Sequence, residues 1–122
     1  MDPVEINAGS WYLRALRADD RISDVPALRD LGVPDPVGYA EVVARGWADE
    51  SLFTWAVCIP TTGELVAVVG VSPGDGTGRI WGRARTGHDD ALDAAIAPVA
   101  RFAAGALGIT VPDSPDDEIV SV

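Results

Sequence analysis

Two apolar runs separated by a short glycine-containing stretch constrain the fold of this chain more than any other feature. Residues 52–60 read LFTWAVCIP, and residues 64–72 read ELVAVVGVS. Both runs are rich in β-branched and aromatic side chains, which favour strands, and the intervening TTG supplies a glycine for the turn. The pattern therefore predicts a β-hairpin and, with it, a sheet at the centre of the molecule.

Three further segments are predicted to extend this sheet. WYLRALR, residues 11–17, alternates large apolar and basic side chains and predicts a first strand. RIWGRAR, residues 79–85, follows a glycine-rich loop and predicts a third antiparallel strand, in which Gly82 marks a bulge or a close backbone approach. ITV, residues 109–111, is able to begin another strand.

Helical patterns fill the remaining stretches. Apolar residues recur every third position from residue 22 to residue 28, which predicts a short helix capped by Asp19 or Asp20. A second short helix is predicted from about residue 36 to residue 47. A long amphipathic helix is predicted over residues 90–107, loosened at Pro98 and ended by Gly108.

These elements predict an α+β fold. It has a mixed, mostly antiparallel sheet of four or five strands, two short helices near the N-terminus, and one long helix packed on one face of the sheet. The 122 residues suffice for a single domain, which we expect at residues 1–112. The acidic, proline-bearing residues 113–122 are expected to form a mobile C-terminal tail.

Composition excludes several classes of function. The 19 acidic and 9 basic residues give a net charge of -10, which repels nucleic acid and anionic membranes and favours a basic protein partner. The single cysteine and single histidine provide neither a disulfide nor a Cys/His metal cluster, so no metal is expected. No apolar run is long enough to span a bilayer, and MDPVEINAGS has no signal-peptide features. We therefore expect a cytoplasmic protein.

The order of elements resembles that of the GNAT family of N-acetyltransferases. The resemblance rests on YLRALRADD at residues 12–20, WAVCIPTTGELVAVVGV at residues 55–71 and ARFAAGALGI at residues 100–109. It covers about residues 11–112 and is greatest to the group that acetylates the amino termini of ribosomal proteins. It implies acetyl-CoA as donor and an amine as acceptor.

The resemblance also places the cofactor site. In the family, a loop patterned Arg/Gln-x-x-Gly-x-Gly/Ala presents backbone N–H groups to the pyrophosphate at the start of the long helix, where the helix dipole favours an anion. This chain reads RARTGHDDA at residues 83–91. The candidate cofactor-binding residues there are Arg83, Arg85, Thr86, Gly87 and His88. A strand N–H near Val69 to Val71 is the candidate for polarising the acetyl carbonyl.

Asp89 and Asp90 depart from the family pattern. They stand where small residues would let phosphate approach, and their carboxylates would repel it. We therefore expect weak or no binding of acetyl-CoA. The simpler interpretation of the turn is structural, with Asp89 or Asp90 as the N-cap of the long helix.

Catalytic residues are not identified by the sequence. The family often uses a glutamate on a middle strand and a tyrosine on a later helix. RIWGRAR has no carboxylate, and we expect the helix and two strands that usually follow ITV to be missing. We interpret Tyr12 and Tyr39 as packed aromatics and Cys58 as a small core residue. Glu64, at the hairpin, either faces a substrate or is simply solvated.

Two hypotheses of function follow. The first is a short N-acetyltransferase that moves an acetyl group from acetyl-CoA to an amine. The second is a catalytically inactive protein with the same fold, which uses its acidic surface to bind a basic partner or a copy of itself. A sheet that stopped after ITV would leave an open edge, so we expect either a homodimer or a covering of that edge by EIVSV, residues 118–122.

Overall fold

The computed structural model describes residues 1–19 and 23–120, and it has the predicted α+β fold. A six-stranded sheet runs in chain order from β1 to β6, with antiparallel neighbours except for the parallel pair of β5 and β6. The strands are β1 (Ile6–Ala8), β2 (Trp11–Arg14), β3 (Phe53–Cys58), β4 (Leu65–Pro73), β5 (Gly78–Ala84) and β6 (Asp116–Asp117). The helices are α1 (Val25–Asp30), α2 (Pro36–Asp49) and α3 (Asp89–Phe102), and α3 continues as a π-helical segment, Ala103–Leu107.

The predicted hairpin is the centre of the molecule. β3 and β4 pair antiparallel around the TTG turn, and Gly63 in that turn has a φ of 73°, in the left-handed region that glycine tolerates. Every residue of β3 is buried, and so are the first seven residues of β4. A strand that is buried on both faces needs apolar side chains at successive positions, which explains the nearly continuous apolar runs.

The helices pack on this sheet. α3 lies against β4 and β5, and the close approach predicted at Gly82 is confirmed, because a Cβ there would lie 2.7 Å from both Leu92 Cδ1 and the Val68 carbonyl oxygen. Trp47 at the end of α2 and Phe102 at the end of α3 meet over β3. The ring centroid of Trp55 lies 5.1 Å from that of Trp47 and 5.2 Å from that of Phe102.

Two predicted helix starts are wrong. Asp19 lies outside α1 and pairs with Arg17, while Asp20 and Ile22 fall outside the described residues. The N-cap of α1 is Asp24, because Pro26 is tolerated only within the first turn of a helix and so fixes where the helix begins. For α3 the N-cap is His88, and Asp89 and Asp90 are the first two helical residues. Gly108 ends the helical stretch with a φ of 66°, as predicted.

The segment after the long helix differs from the prediction of a strand at residues 109–111. Ile109 and Val111 are buried, but only Thr110 forms a bridge, which is parallel to Thr77. The apolar residues of ITV alternate with a polar one because two side chains are buried. The segment is not a strand of the sheet. The sixth strand is instead Asp116–Asp117.

Residues 113–120, which we call the acidic segment, are attached to the sheet. Asp116 and Asp117 pair with Trp81 and Gly82 of β5, contrary to the expectation of a mobile tail. The edge of β5 is covered by Asp116 and Asp117, which precede the residues 118–122 that were expected to cover it. Residues 121 and 122 lie outside the described part of the chain.

Candidate functional site at the turn between β5 and α3

The turn at residues 85–88 joins β5 to α3 in a tight, hydrogen-bonded loop. The His88 N–H donates to the Arg85 carbonyl at 2.9 Å, and the Ala91 N–H donates to the His88 carbonyl at 3.1 Å. Gly87 has a φ of 85°, a conformation that side chains disfavour, and so this position requires glycine. The turn leaves the N–H groups of Asp89 and Asp90 at the open start of α3.

The structure brings most of the predicted cofactor residues together. A surface cleft of about 450 Å³ is lined by Asp30, Leu31, Glu64, Arg83, Ala84, Arg85, Thr86 and His88. Thr86 and Gly87 are exposed, whereas His88 is half-buried. The grouping predicted around the turn is therefore present in space as well as in sequence.

The charge of Arg85 is already matched within the protein. Its guanidinium donates to Asp30 Oδ2 at 2.6 Å and to Glu64 Oε1 at 3.1 Å, and it also donates to the Leu65 carbonyl. Glu64 thus has a definite role in holding Arg85. Two carboxylates on one guanidinium leave little positive potential for a further anion.

Arg83 is held in a similar way on the other side of the turn. Its Nε donates to Asp117 Oδ1 at 3.0 Å, and one terminal nitrogen donates to the Leu31 carbonyl at 3.1 Å. The partners come from the acidic segment and from the end of α1. Arg83 therefore joins three elements that are distant in sequence.

The start of α3 is acidic. Asp89, Asp90 and Asp93 are exposed, and no cation lies within ion-pair distance of them among residues 1–19 and 23–120. The dipole of a helix is equivalent to about half a positive charge at this end. Three carboxylates outweigh that half charge, so the local potential is negative.

These observations test whether the turn fits the pyrophosphate of acetyl-CoA. The fold supplies the right element, a glycine turn leading into a helix start. The side chains do not fit, because both arginines are matched by carboxylates and the exposed amides are flanked by Asp89 and Asp90. The turn is better suited to a cation than to an anion.

Val69 and Val71 occupy the middle of β4. Val69 pairs with Trp55 on β3 and Gly82 on β5, and Val71 pairs in the same way with Phe53 and Ile80. Both side chains are fully buried. Their N–H groups therefore lie within the ladder, and the role suggested for them at an acetyl carbonyl stays a prediction.

The other chemically reactive side chains are packed in the interior or at its margin. Burial raises the pKa of the Cys58 thiol to about 12, which keeps it protonated and unreactive at neutral pH. Burial also raises the pKa of Tyr39, whose hydroxyl donates to the Val120 carbonyl at 2.9 Å. Tyr12 is half-buried, and a hydrogen bond with Glu5 raises its pKa.

Within residues 1–19 and 23–120, no three His, Cys, Asp or Glu side chains are grouped to hold a metal ion.

Sequence reasoning missed the partners of the two arginines. Asp30 and Glu64 are 55 and 21 residues from Arg85, and Asp117 is 34 residues from Arg83. No local motif links such positions. The one available signal was the excess of acidic residues, 19 against 9 basic ones, which favours carboxylate partners for arginines.

Comparison with known proteins identifies the fold. No family model matches the chain, and no curated protein matches it. Among solved structures, it is similar to an acetyltransferase from Agrobacterium tumefaciens str. C58, with a TM-score of 0.65 and 20% identity over 89% of this chain and 71% of that one. The chain has an acetyltransferase fold.

A second solved structure agrees with the first. A candidate acetyltransferase from Sphaerobacter thermophilus DSM 20745 has a TM-score of 0.58 and 18% identity, covering 96% of this chain and 69% of that one. At this identity the two likenesses establish the GNAT-like fold, and the side chains at the turn have to be judged on their own chemistry.

A helix that spans a membrane has to be both long and apolar, and the helices within residues 1–19 and 23–120 differ from that description. None of them meets both requirements.

Proposed function

We propose that this acetyltransferase-fold protein acts as a protein-interaction module, which binds a basic segment at the start of α3 and binds acetyl-CoA weakly or not at all. One observation carries the proposal. At the place where the fold would receive an anion, Asp89, Asp90 and Asp93 are exposed while Arg83 and Arg85 are already paired.

The size of the electrostatic interactions at the start of α3 favours a basic ligand over a pyrophosphate. Two like charges about 4 Å apart repel by roughly 1 to 4 kcal/mol at dielectric values typical of a protein surface. A pyrophosphate at the start of α3 would meet Asp89 and Asp90 at about that range, so the repulsion would offset much of the benefit of the backbone N–H groups. A guanidinium or ammonium group placed there is attracted instead. The net charge of -10 adds long-range attraction for a basic partner.

A matched set of variants tests the proposal. The probe is a short peptide of Arg-Gly repeats, titrated at physiological salt. Neutralising the start of α3, with Asp89→Asn, Asp90→Asn and Asp93→Asn, is expected to weaken binding about tenfold, or about 1.4 kcal/mol. The control removes the same number of exposed charges elsewhere, with Glu41→Gln, Asp49→Asn and Asp75→Asn, and is expected to have little effect. Equal losses in the two variants would show non-specific charge attraction and would refute the proposed site.

The second candidate function is N-acetyl transfer from acetyl-CoA to an amine, such as the amino terminus of a ribosomal protein. The shared fold favours it, as does a cleft of about 590 Å³ between α2 and β5 that would admit an acceptor. Release of coenzyme A thiol in the presence of an amino-terminal peptide measures this activity directly. Turnover above the background hydrolysis of acetyl-CoA would favour the enzyme over the module. A cytoplasmic location remains part of both proposals.

A further inference from the structure

The acidic segment lies extended along the outer edge of β5, and its last three acidic side chains pair with two arginines of that strand. Asp116 pairs with Arg79 at 3.1 Å, Asp117 pairs with Arg83 at 3.0 Å, and Glu118 also pairs with Arg79. The backbone of Asp116 and Asp117 pairs in parallel with Trp81 and Gly82. A sheet edge with two arginines along it thus holds an acidic strand.

The contacts continue beyond the ladder. Ile119 lies at the wall of the cleft between α2 and β5, and the Val120 carbonyl accepts a hydrogen bond from the Tyr39 hydroxyl at 2.9 Å. The order of side chains is therefore three acidic residues followed by an aliphatic one, and a backbone carbonyl is fixed at the end. The protein contacts this part of the segment through Arg79, Arg83 and the Tyr39 hydroxyl.

The acidic segment is attached by few contacts of low strength. Its ladder has only two residues, and the side chains of its ion pairs are exposed, at 53% for Arg79 and 61% for Asp116. Exposed ion pairs contribute little to stability and are screened by salt. A short parallel pairing at an edge is readily replaced by another strand.

The groove is also incompletely filled. The cleft beside Ile119 has a volume of about 590 Å³ and is lined by apolar groups of Leu31, Val33 and Val42. Arg45 borders the same cleft and has no carboxylate within ion-pair distance among the described residues. The groove therefore has room for a larger apolar side chain and an unmatched cation for a further acid.

We propose that this groove is a docking site for an extended acidic peptide of another protein, with three acidic residues followed by a bulky apolar one, and that the acidic segment occupies it as an internal competitor. The peptide adds a strand parallel to β5, its acids pair with Arg79 and Arg83, and its apolar side chain enters the cleft. This site does not rest on the proposed function, because it uses none of the carboxylates at the start of α3.

The test uses the full chain and fluorescent peptides. One peptide has the sequence of residues 113–120, and a second has phenylalanine at the position of Ile119. In the protein variant Asp116→Ala, Asp117→Ala and Glu118→Ala, the internal competitor loses its ion pairs. We expect this variant to bind both peptides at least about tenfold more tightly than the unmodified chain, and to prefer the phenylalanine peptide.

Further variants and a control peptide separate specific docking from charge attraction. Adding Arg83→Ala, or separately Tyr39→Phe, to the triple-alanine variant is expected to weaken binding, whereas Arg101→Ala, which changes an exposed residue on α3, should not. The triple change Asp89→Asn, Asp90→Asn and Asp93→Asn should also leave peptide binding unchanged, so failure here and failure of the proposed function are distinguishable.

Three results would overturn the proposal. The first is equal binding of the peptide and of its reversed sequence, and the second is no gain from the triple-alanine variant. The third is light scattering that shows a dimer of the unmodified chain which the triple-alanine variant abolishes and Asn7→Pro leaves intact, since the occupant would then be the acidic segment of a second copy.

Discussion

At the residue scale, Arg14 and Asp24 form a buried ion pair. Their side chains form two hydrogen bonds of 2.8 and 2.9 Å, and Asp24 also accepts from the Arg17 N–H at 2.7 Å. Burial alone would lower the pKa of Arg14, but the hydrogen bonds to Asp24 and the neighbouring acidic groups raise it overall. A further bond to the Gly63 carbonyl connects β2, the start of α1 and the hairpin turn.

Removal of Asp24 is therefore expected to be costly. Asp24→Ala leaves a buried guanidinium without its carboxylate, and breaking such a pair typically costs about 3 to 5 kcal/mol. Asp30→Ala is the matched control, because Asp30 is exposed and Arg85 keeps Glu64, so the loss should be below about 1 kcal/mol. Urea unfolding of both variants measures the difference. Similar losses would show that the buried pair contributes no more than a surface pair.

Cys58 makes stability depend on alkaline pH. The thiol has a pKa of about 12 in the folded protein against a reference value of 9.0, so the folded state retains a proton that the unfolded state loses. The contribution of the Cys58 thiol to the free energy of unfolding is fully present below pH 9 and is lost as the pH rises toward 12. We expect a loss of about 1 kcal/mol between pH 9 and pH 10 in urea unfolding. The loss should be much smaller in Cys58→Ala, and equal losses would assign the pH dependence to other groups.

At the scale of elements, the sequence predicts best where one local pattern decides the structure. The hairpin, β5, α2 and the long helix are confirmed because burial of apolar faces and turn glycines leave a periodic signal. β1 was missed because three residues, INA, are too few for any period. β6 was missed because Asp116 and Asp117 have low strand propensity and are held by Arg79 and Arg83 from elsewhere in the chain.

Packing between neighbouring strands gives a prediction at this scale. Gly70 on β4 lies opposite Trp81 on β5, and a Cβ at Gly70 would overlap the indole ring. Gly70→Ala should therefore destabilise the protein by about 1 to 3 kcal/mol. Gly105→Ala, where a Cβ meets nothing within 4 Å, should be neutral or stabilise by up to about 1 kcal/mol. Thermal unfolding compares the two, and equal stability of both variants would contradict the packing of Trp81.

At the scale of the whole molecule, the sequence predicts which residues meet at the turn, but it does not predict which of their charges are matched by other residues. Arg83, Arg85, Thr86 and His88 share one cleft because a strand, a turn and a helix start follow each other in sequence. Their electrostatic state depends on Asp30, Glu64 and Asp117, which the fold brings from three other segments. An acetyltransferase fold can therefore present a turn whose side chains oppose the ligand that the fold would otherwise favour.

The homodimer anticipated from an open sheet edge stays a prediction. The acidic segment covers β5, while β1 is a short strand at the other edge of the sheet. Pairing through β1 would join two sheets edge to edge. Light scattering over a range of concentrations should then show a dimer that a proline at Asn7, in the middle of β1, weakens. A monomer at all concentrations would contradict this expectation.

The central claim, that the turn before α3 disfavours an anionic cofactor, is tested most directly by calorimetric titration with acetyl-CoA. The unmodified chain is expected to bind more weakly than about 10 μM, which corresponds to roughly -7 kcal/mol. The variant Asp89→Asn with Asp90→Asn is expected to bind about tenfold more tightly, because two of the three carboxylates at the start of α3 are then neutral. A dissociation constant of about 10 μM or tighter for the unmodified chain would contradict the account and favour the acetyltransferase.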